Sequence, residues 1–177
     1  MILKIIRAMP LLLLLAGTSL MLLNACRGKT AKEVAIGSLA PTFEISDIRT
    51  GKRLASSAFS GKVLFINFWA TWCPPCREEL PSIEAVYREM SLDDKFAMIT
   101  ILYRDNPSSA IEYMKENGYT FPVYSDPGDG SSRNFGVTGV PETYIVDKKG
   151  VLRRKVIGAA DWGSAEEKGF IKSLLTE

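Results

Sequence analysis

Histidine is absent from this 177-residue chain, and cysteine occurs only three times. The absence of histidine excludes Ser-His and Cys-His catalysis and histidine-ligated metal centres. It also excludes covalent haem attachment at Cys73 and Cys76, because Arg77 stands where that motif needs histidine. An excess of charge of one sign is also missing, since 22 basic and 20 acidic residues leave a net charge of +2. Nothing in the composition therefore favours nucleic acid as a partner.

The apolar pattern predicts a single α/β domain. The length and the 46% apolar share suit one globular core. Val63–Trp69 and Phe96–Leu102 are nearly continuous apolar runs, as is typical of central strands covered on both faces. We expect the other elements at the following positions: helices over 74–90, 107–117 and 164–175, an N-terminal hairpin from 43, a late hairpin over 140–157, and a Gly/Asp/Ser loop over 126–132.

Two cysteines follow the first of these strands, with two residues between them. Cys73 lies where the next helix begins, and free N–H groups and the macrodipole at a helix N-terminus favour an anion such as a thiolate. Cys76 lies one turn further on the same face, so it can attack a disulfide formed at Cys73. The pair predicts a redox-active dithiol, with Cys73 exposed at the helix tip. Half of a zinc site or an inert disulfide is the alternative, but zinc needs about four ligands.

The first 25 residues predict an export signal. Two basic residues precede an apolar stretch over 10–23, which is shorter than the ~20 residues that span a bilayer. The stretch ends at residues 23–26, Leu-Asn-Ala-Cys, which resemble the lipobox of bacterial lipoproteins. That resemblance implies acylation of Cys26 and a membrane anchor through the lipid. Ordinary cleavage near Ala25 and an uncleaved membrane anchor are the alternatives.

Two separated motifs carry a second resemblance. Residues 68–76 read Phe-Trp-Ala-Thr-Trp-Cys-Pro-Pro-Cys, and residues 139–147 read Gly-Val-Pro-Glu-Thr-Tyr-Ile-Val-Asp. Together they resemble the thioredoxin superfamily and, within it, the exported TlpA/ResA/CcmG group. The resemblance implies a central mixed β-sheet flanked by helices on both faces, an N-terminal β-hairpin extension and no bound cofactor. The chain is then expected to divide as follows: a signal peptide over 1–25, a tether over 26–36 and a thioredoxin-like domain over 37–177.

The family resemblance also implies a docking surface for a substrate protein. Pro141 matches the position where thioredoxin-like folds carry a cis-proline beside the active site. Val140 would then pair through its main chain with the incoming polypeptide. The expected docking residues are Trp72, Pro74, Pro75, Val140 and Pro141. A trans proline at the start of a strand is the alternative.

Glu79 is the predicted acid of the site. It follows Cys76 by three residues and can share its side of the helix. In the ResA-like branch a glutamate at this spacing belongs to the active site. A carboxylate near sulfur raises thiol pKa values, and it could carry a proton to or from Cys76. Asn67 stands where cytoplasmic thioredoxins have a buried aspartate. An amide cannot accept a proton as a base, so we expect Glu79 to take the role of proton relay. The alternative is that Glu79 is a solvated surface charge.

These residues predict a reductant working outside the cytoplasm. Pro-Pro between the cysteines gives no side-chain donor or positive charge to stabilise a thiolate, so the dithiol gives up its electrons more readily. The resemblance implies reduction of selected exported proteins, such as apocytochromes c before haem attachment, with electrons from a membrane relay of the DsbD/CcdA kind. A general disulfide oxidant or isomerase, a thiol peroxidase and a non-enzymatic assembly factor are the alternatives. Thr71 lies two residues before Cys73, whereas the peroxidase motif needs three.

Overall fold

The computed structural model describes residues 34–177. The predicted signal peptide and the acylation of Cys26 lie outside the described residues, as does most of the predicted tether. The division of the chain at 25 and 36 stays a prediction. Between residues 34 and 177, no helix is long and apolar enough to cross a membrane.

A seven-stranded sheet and four α-helices form the described domain. The strands are β1 (Glu44–Asp47), β2 (Arg53–Ala55), β3 (Val63–Trp69), β4 (Phe96–Leu102), β5 (Val123–Ser125), β6 (Glu142–Val146) and β7 (Leu152–Ile157). The helices are α1 (Pro74–Met90), α2 (Pro107–Asn117), α3 (Gly130–Phe135) and α4 (Ala165–Thr176). The predicted bounds of β3, β4 and α1 are confirmed at both ends, and both predicted hairpins are present as β1–β2 and β6–β7.

The sheet is mixed, with the order β2-β1-β5-β4-β3-β6-β7. Strands β3, β4 and β5 are parallel, while β1, β2, β6 and β7 pair antiparallel with their neighbours. All seven residues of β3 are buried. This burial agrees with its position between β4 and β6, because a strand covered on both faces needs apolar side chains in both directions.

Each face of the sheet packs against a different set of elements. Apart from Asn67, the odd-numbered residues of β3 join a core with α1, α2 and α4. The even-numbered residues join a second core with α3 and the N-terminal segment, in which Val34 is already buried. The predicted arrangement of helices on both faces is therefore confirmed, with three longer helices on one face and the short α3 on the other.

Capping residues explain where α2 starts and stops. The Asn106 side chain accepts a hydrogen bond from the Ser108 N–H at 2.8 Å, and Pro107 fills the first position of α2. Gly118 ends this helix with a φ of 67°, a left-handed conformation that glycine adopts without strain. Both ends of α2 are therefore as predicted.

The prediction of a loop over 126–132 is wrong. Pro127–Asp129 forms a 3₁₀ helix and α3 follows directly. The Asp126 carboxylate accepts hydrogen bonds from the N–H groups of Ser131 and Ser132, both at 2.8 Å. Phe135 anchors the far end of α3 in the core. These side-chain contacts order a segment whose glycine and aspartate content is typical of a turn.

Candidate active site

The two cysteines lie where β3 ends and α1 begins. Cys73 is the N-cap of α1, and Cys76 lies in the first turn. They form a disulfide with their Cα atoms 5.3 Å apart. Cys76 is fully buried and Cys73 is only 3% exposed. The expectation that Cys73 is exposed at the helix tip is therefore wrong for the disulfide form, because neighbouring groups cover its sulfur.

The cap at Cys73 places one backbone donor on its sulfur. The Cys76 N–H donates to Cys73 Sγ at 3.2 Å. An N-cap side chain ordinarily accepts from the N–H of the second or third helical residue. Here the first two positions are Pro74 and Pro75, which have no N–H. Of the first three residues of α1, only Cys76 therefore has an N–H that can stabilise a thiolate at Cys73.

A second loop lies against the same sulfur. The Val140–Pro141 peptide bond is cis, and the Val140 carbonyl oxygen lies 3.5 Å from Cys73 Sγ. A reduced Cys73 thiol can donate to this carbonyl, whereas the disulfide has no proton to give. Trp72 is 56% exposed beside the cysteines, and Pro74 and Pro75 are exposed as well. The predicted docking residues thus gather at one end of the sheet, while their docking role stays a prediction.

Two residues that were not predicted as part of the site, Arg104 and Asp105, hold the loop before Cys73. The Asp105 carboxylate accepts a hydrogen bond from the Thr71 N–H at 2.6 Å. The Trp72 indole N–H donates to the Arg104 carbonyl at 3.4 Å, and Arg104 has a positive φ of 49°. An acidic residue just beyond the end of a parallel strand was the available signal, because such strand ends meet at one edge of the sheet.

Glu79 is buried beneath this surface, with an exposure of 2%. Its Oε2 accepts hydrogen bonds from the Ala160 N–H and the Trp162 indole N–H, both at 3.2 Å. Its Oε1 accepts from the Asn67 amide at 2.9 Å. Burial raises the pKa of Glu79 to about 7, although the three hydrogen bonds act in the opposite direction. Glu79 is therefore no solvated surface charge, and its carboxyl changes protonation near neutral pH.

Asn67 links the acid to the rest of the sheet. Its amide nitrogen also donates to Thr143 Oγ1 at 2.9 Å, from the neighbouring strand β6. Its Oδ1 is buried without a hydrogen-bond partner in the part of the chain that the structure describes. Asn67 thus acts as a donor to Glu79, which agrees with the expectation that it is no base. The contacts of Thr143 with Asn67 and of Trp162 with Glu79 were not predicted, because they join residues 76 and 83 positions apart in the chain.

The arrangement provides the parts that thiol–disulfide exchange needs. A sulfur at a helix N-cap can become a nucleophile, a second sulfur one turn away can close a disulfide, and a buried carboxyl can exchange a proton near pH 7. Within residues 34–177 no group of three metal-ligating side chains lies together. The fold and these groups define a thiol–disulfide oxidoreductase of the thioredoxin-like class.

Comparison with known proteins gives the family. The model of the AhpC/TSA family matches residues 36–155, and the chain belongs to that family. It is 31% identical over 144 residues to the thiol-disulfide oxidoreductase ResA of Bacillus anthracis, covering 81% of this chain and 80% of that protein. It is 33% identical over 129 residues to the thiol:disulfide interchange protein DsbE of Pseudomonas aeruginosa, covering 71% and 68%.

A solved structure agrees with this assignment. A thioredoxin-family thiol:disulfide interchange protein from Chlorobium tepidum superimposes with a TM-score of 0.68 and 28% identity, covering 80% of this chain and 98% of that one. The predicted thioredoxin-like fold and the predicted ResA-like relationship are therefore confirmed.

Proposed function

We propose that this protein is an extracytoplasmic, membrane-tethered reductase of disulfides in selected exported proteins. Cys73 is the nucleophile, Cys76 the resolving thiol and Glu79 the residue that exchanges a proton with Cys76. The names of the ResA and DsbE relatives support thiol–disulfide chemistry in general. These names do not say in which direction electrons flow, so we infer the direction from the geometry of the site.

The helix cap at Cys73 carries the argument for reduction. A thiolate at this position is stabilised by backbone N–H groups, and greater stabilisation makes the dithiol form more stable and the protein a stronger oxidant. Pro74 and Pro75 remove two of the first three N–H groups of α1, and the Cys76 N–H remains as the donor at 3.2 Å. A less stabilised thiolate favours the disulfide form, so the dithiol is a better reductant.

The reaction then has two exchange steps. The Cys73 thiolate attacks one sulfur of a substrate disulfide, which forms a mixed disulfide and releases the first substrate thiolate. Cys76 loses its proton to the Glu79 carboxylate and attacks Cys73 Sγ, which releases the second substrate thiolate and forms the Cys73–Cys76 disulfide. The substrate gains two electrons, and its two thiolates take protons from water.

The setting and the substrate class rest on the pattern of residues 1–26 and on the family. The predicted export signal and the lipobox-like residues 23–26 support an anchored domain outside the cytoplasm. An oxidising compartment would keep the pair as a disulfide unless a donor reduces it. A membrane relay of the DsbD/CcdA kind is the proposed donor. An apocytochrome c with an oxidised CxxCH motif is the proposed example of a substrate.

A peptide assay tests the substrate and the direction together. The dithiol form of the full-length protein is mixed with an oxidised CxxCH peptide, and with a matched peptide in which alanine replaces the histidine. We expect stoichiometric reduction of the CxxCH peptide at a higher rate than the matched peptide, and none with the Cys73→Ser variant.

The other outcomes identify the alternatives. Failure of the dithiol form to reduce the peptide, together with oxidation of the reduced peptide by the disulfide form, would indicate a general oxidant or isomerase. Turnover of hydrogen peroxide with supplied thiol would indicate a peroxidase. A Cys73→Ser, Cys76→Ser variant that still supports the cellular role would indicate a non-enzymatic assembly factor.

A further inference from the structure

The proposed reaction requires a proton to leave a fully buried sulfur. Cys76 has no exposed surface. During its attack a substrate protein is docked over Cys73 and Val140, so the surface beside the cysteines is covered. While the substrate is bound, the proton that Cys76 gives to Glu79 can reach solvent only by a way that the substrate does not block.

Such a way lies on another side of Glu79. A crevice of about 330 Å³ runs between α1 and the segment that follows β7. Glu79, Pro81 and Ser82 line it from α1, and Ala159 and Ala160 line it from the opposite wall. Along α1 the crevice extends from Glu78 to Pro81, about 8 to 12 Å along the helix axis from Cys73 at a rise of about 1.5 Å per residue. None of the predicted docking residues lines it.

The wall of this crevice also binds the acid. The Ala160 N–H and the Trp162 indole N–H both donate to Glu79 Oε2. Ser82 closes the wall, since its hydroxyl donates to the Glu79 carbonyl at 2.7 Å and accepts from the Trp162 N–H at 3.1 Å. The segment that forms one side of the crevice thus contacts the Glu79 carboxyl directly.

We propose that protons enter and leave the active site through this crevice. The Glu79 carboxyl exchanges its proton with solvent there while the substrate covers Cys73. The inference rests on the proposed proton transfer between Cys76 and Glu79. Two further acids, Glu78 and Asp161, line the crevice and are exposed. Negative charge there raises the local concentration of hydronium and of protonated cationic buffers. From the β-sheet side, the neutral side chain of Asn67 faces the acid, and Thr143 contacts Asn67 in turn.

The test measures how fast the Glu79 carboxyl exchanges its proton with solvent. Relaxation dispersion of the Glu79 carboxyl ¹³C signal, recorded on the full-length protein near its titration midpoint, gives this rate without any substrate. In Ala159→Leu, an added side chain fills the crevice, so exchange has to wait for local opening of the segment and slows by roughly tenfold. Ala85→Leu adds the same volume on an exposed position of α1 outside the crevice, and its rate stays that of the parent protein.

Two further variants, Asp161→Asn and Cys76→Ser, test the same route. Asp161→Asn keeps the shape of the crevice and removes a charge, so we expect slower exchange with the same reduction potential. In Cys76→Ser, a peptide held on Cys73 as a mixed disulfide covers the docking surface, and we expect exchange at Glu79 to continue at its former rate.

An unchanged rate in both Ala159→Leu and Asp161→Asn would overturn the proposal. So would loss of exchange on adding the peptide, because the proton would then pass through the docking surface. These readouts contain no electron transfer, so they are independent of whether the protein proves to be a reductase.

Discussion

Glu79 and Glu84 are both buried acids on α1, five residues apart, yet their pKa values shift in opposite directions. Burial alone raises both pKa values. At Glu84 the hydrogen bonds from Thr120 and Phe121 and the guanidinium of Arg88, 2.6 Å away, outweigh burial, so its pKa is lowered. At Glu79 the donors are all neutral, and burial dominates.

Glu84 therefore has a structural role, whereas Glu79 can take part in proton transfer. The Glu84 carboxylate is permanently ionised at neutral pH and fixes the backbone before β5 to α1. The Glu79 carboxyl is held without a positive partner, so both of its protonation states are populated near pH 7. Two side chains of one type on one helix therefore take different roles because only one of them has a cation beside it.

Removing the structural acid should have the largest effect. Glu84→Ala leaves the N–H groups of Thr120 and Phe121 without acceptors, the latter in a fully buried residue. We expect a loss of about 3 kcal/mol in the free energy of unfolding, measured with urea, and an unchanged reduction potential. The control is Glu112→Ala, at an exposed position of α2. Equal stability of the two variants would refute the structural role of Glu84.

Replacing Glu79 should affect the rate of disulfide closure instead of stability. Glu79→Gln keeps the size of the side chain but cannot take the proton of Cys76. We expect the closing of the Cys73–Cys76 disulfide to slow by about a hundredfold, measured by stopped-flow release of thiol from a Cys73 mixed disulfide. The first exchange step at Cys73 should stay fast. A variant slowed equally in both steps would show that Glu79 acts on structure and not on Cys76.

The dependence of stability on pH sharpens the contrast. The pKa of Glu79 is about 7 in the folded protein against an ordinary value of 4.5, so folding takes up a proton between these values. Stability due to this group therefore falls as pH rises, by about 2 to 3 kcal/mol between pH 5 and pH 8. Glu84, with its lowered pKa, loses stability only as pH falls. Urea midpoints of the parent protein and Glu79→Gln should converge at low pH and separate at high pH; parallel curves would contradict the pKa.

The smallest effect concerns the amide beside the acid. Asn67 donates to Glu79 Oε1 and thereby lowers its pKa. Asn67→Ala removes this donor, so the Glu79 pKa rises further, as followed by ¹³C NMR titration of the carboxyl. Thr143→Val removes the other Asn67 contact and keeps the Glu79 one, so it should change the pKa much less. A lower pKa in Asn67→Ala would show that solvent entering the gap outweighs the lost hydrogen bond.

Local sequence patterns predicted β3 and α1, which flank the cysteines, but not the long-range contacts that form the site. An apolar run and a capped helix specify β3 and α1 through neighbours in the chain, so their bounds were predictable. Trp162 contacts Glu79 across 83 residues, and no periodicity reports such a contact. The burial of Cys73 was not predicted either: the family resemblance placed Val140 beside the active site, but no local pattern shows how closely its carbonyl approaches the sulfur.

The reduction potential of the Cys73–Cys76 pair decides whether this protein is a reductant or an oxidant. The full-length protein is equilibrated with a series of thiol redox buffers, and the fraction of disulfide is quantified. One N–H group donates to Cys73 Sγ, and the Glu79 carboxyl accepts hydrogen bonds from neutral groups alone. We therefore predict a potential of about −270 mV, that of a reductant such as thioredoxin. A potential of about −120 mV would instead make the protein an oxidant.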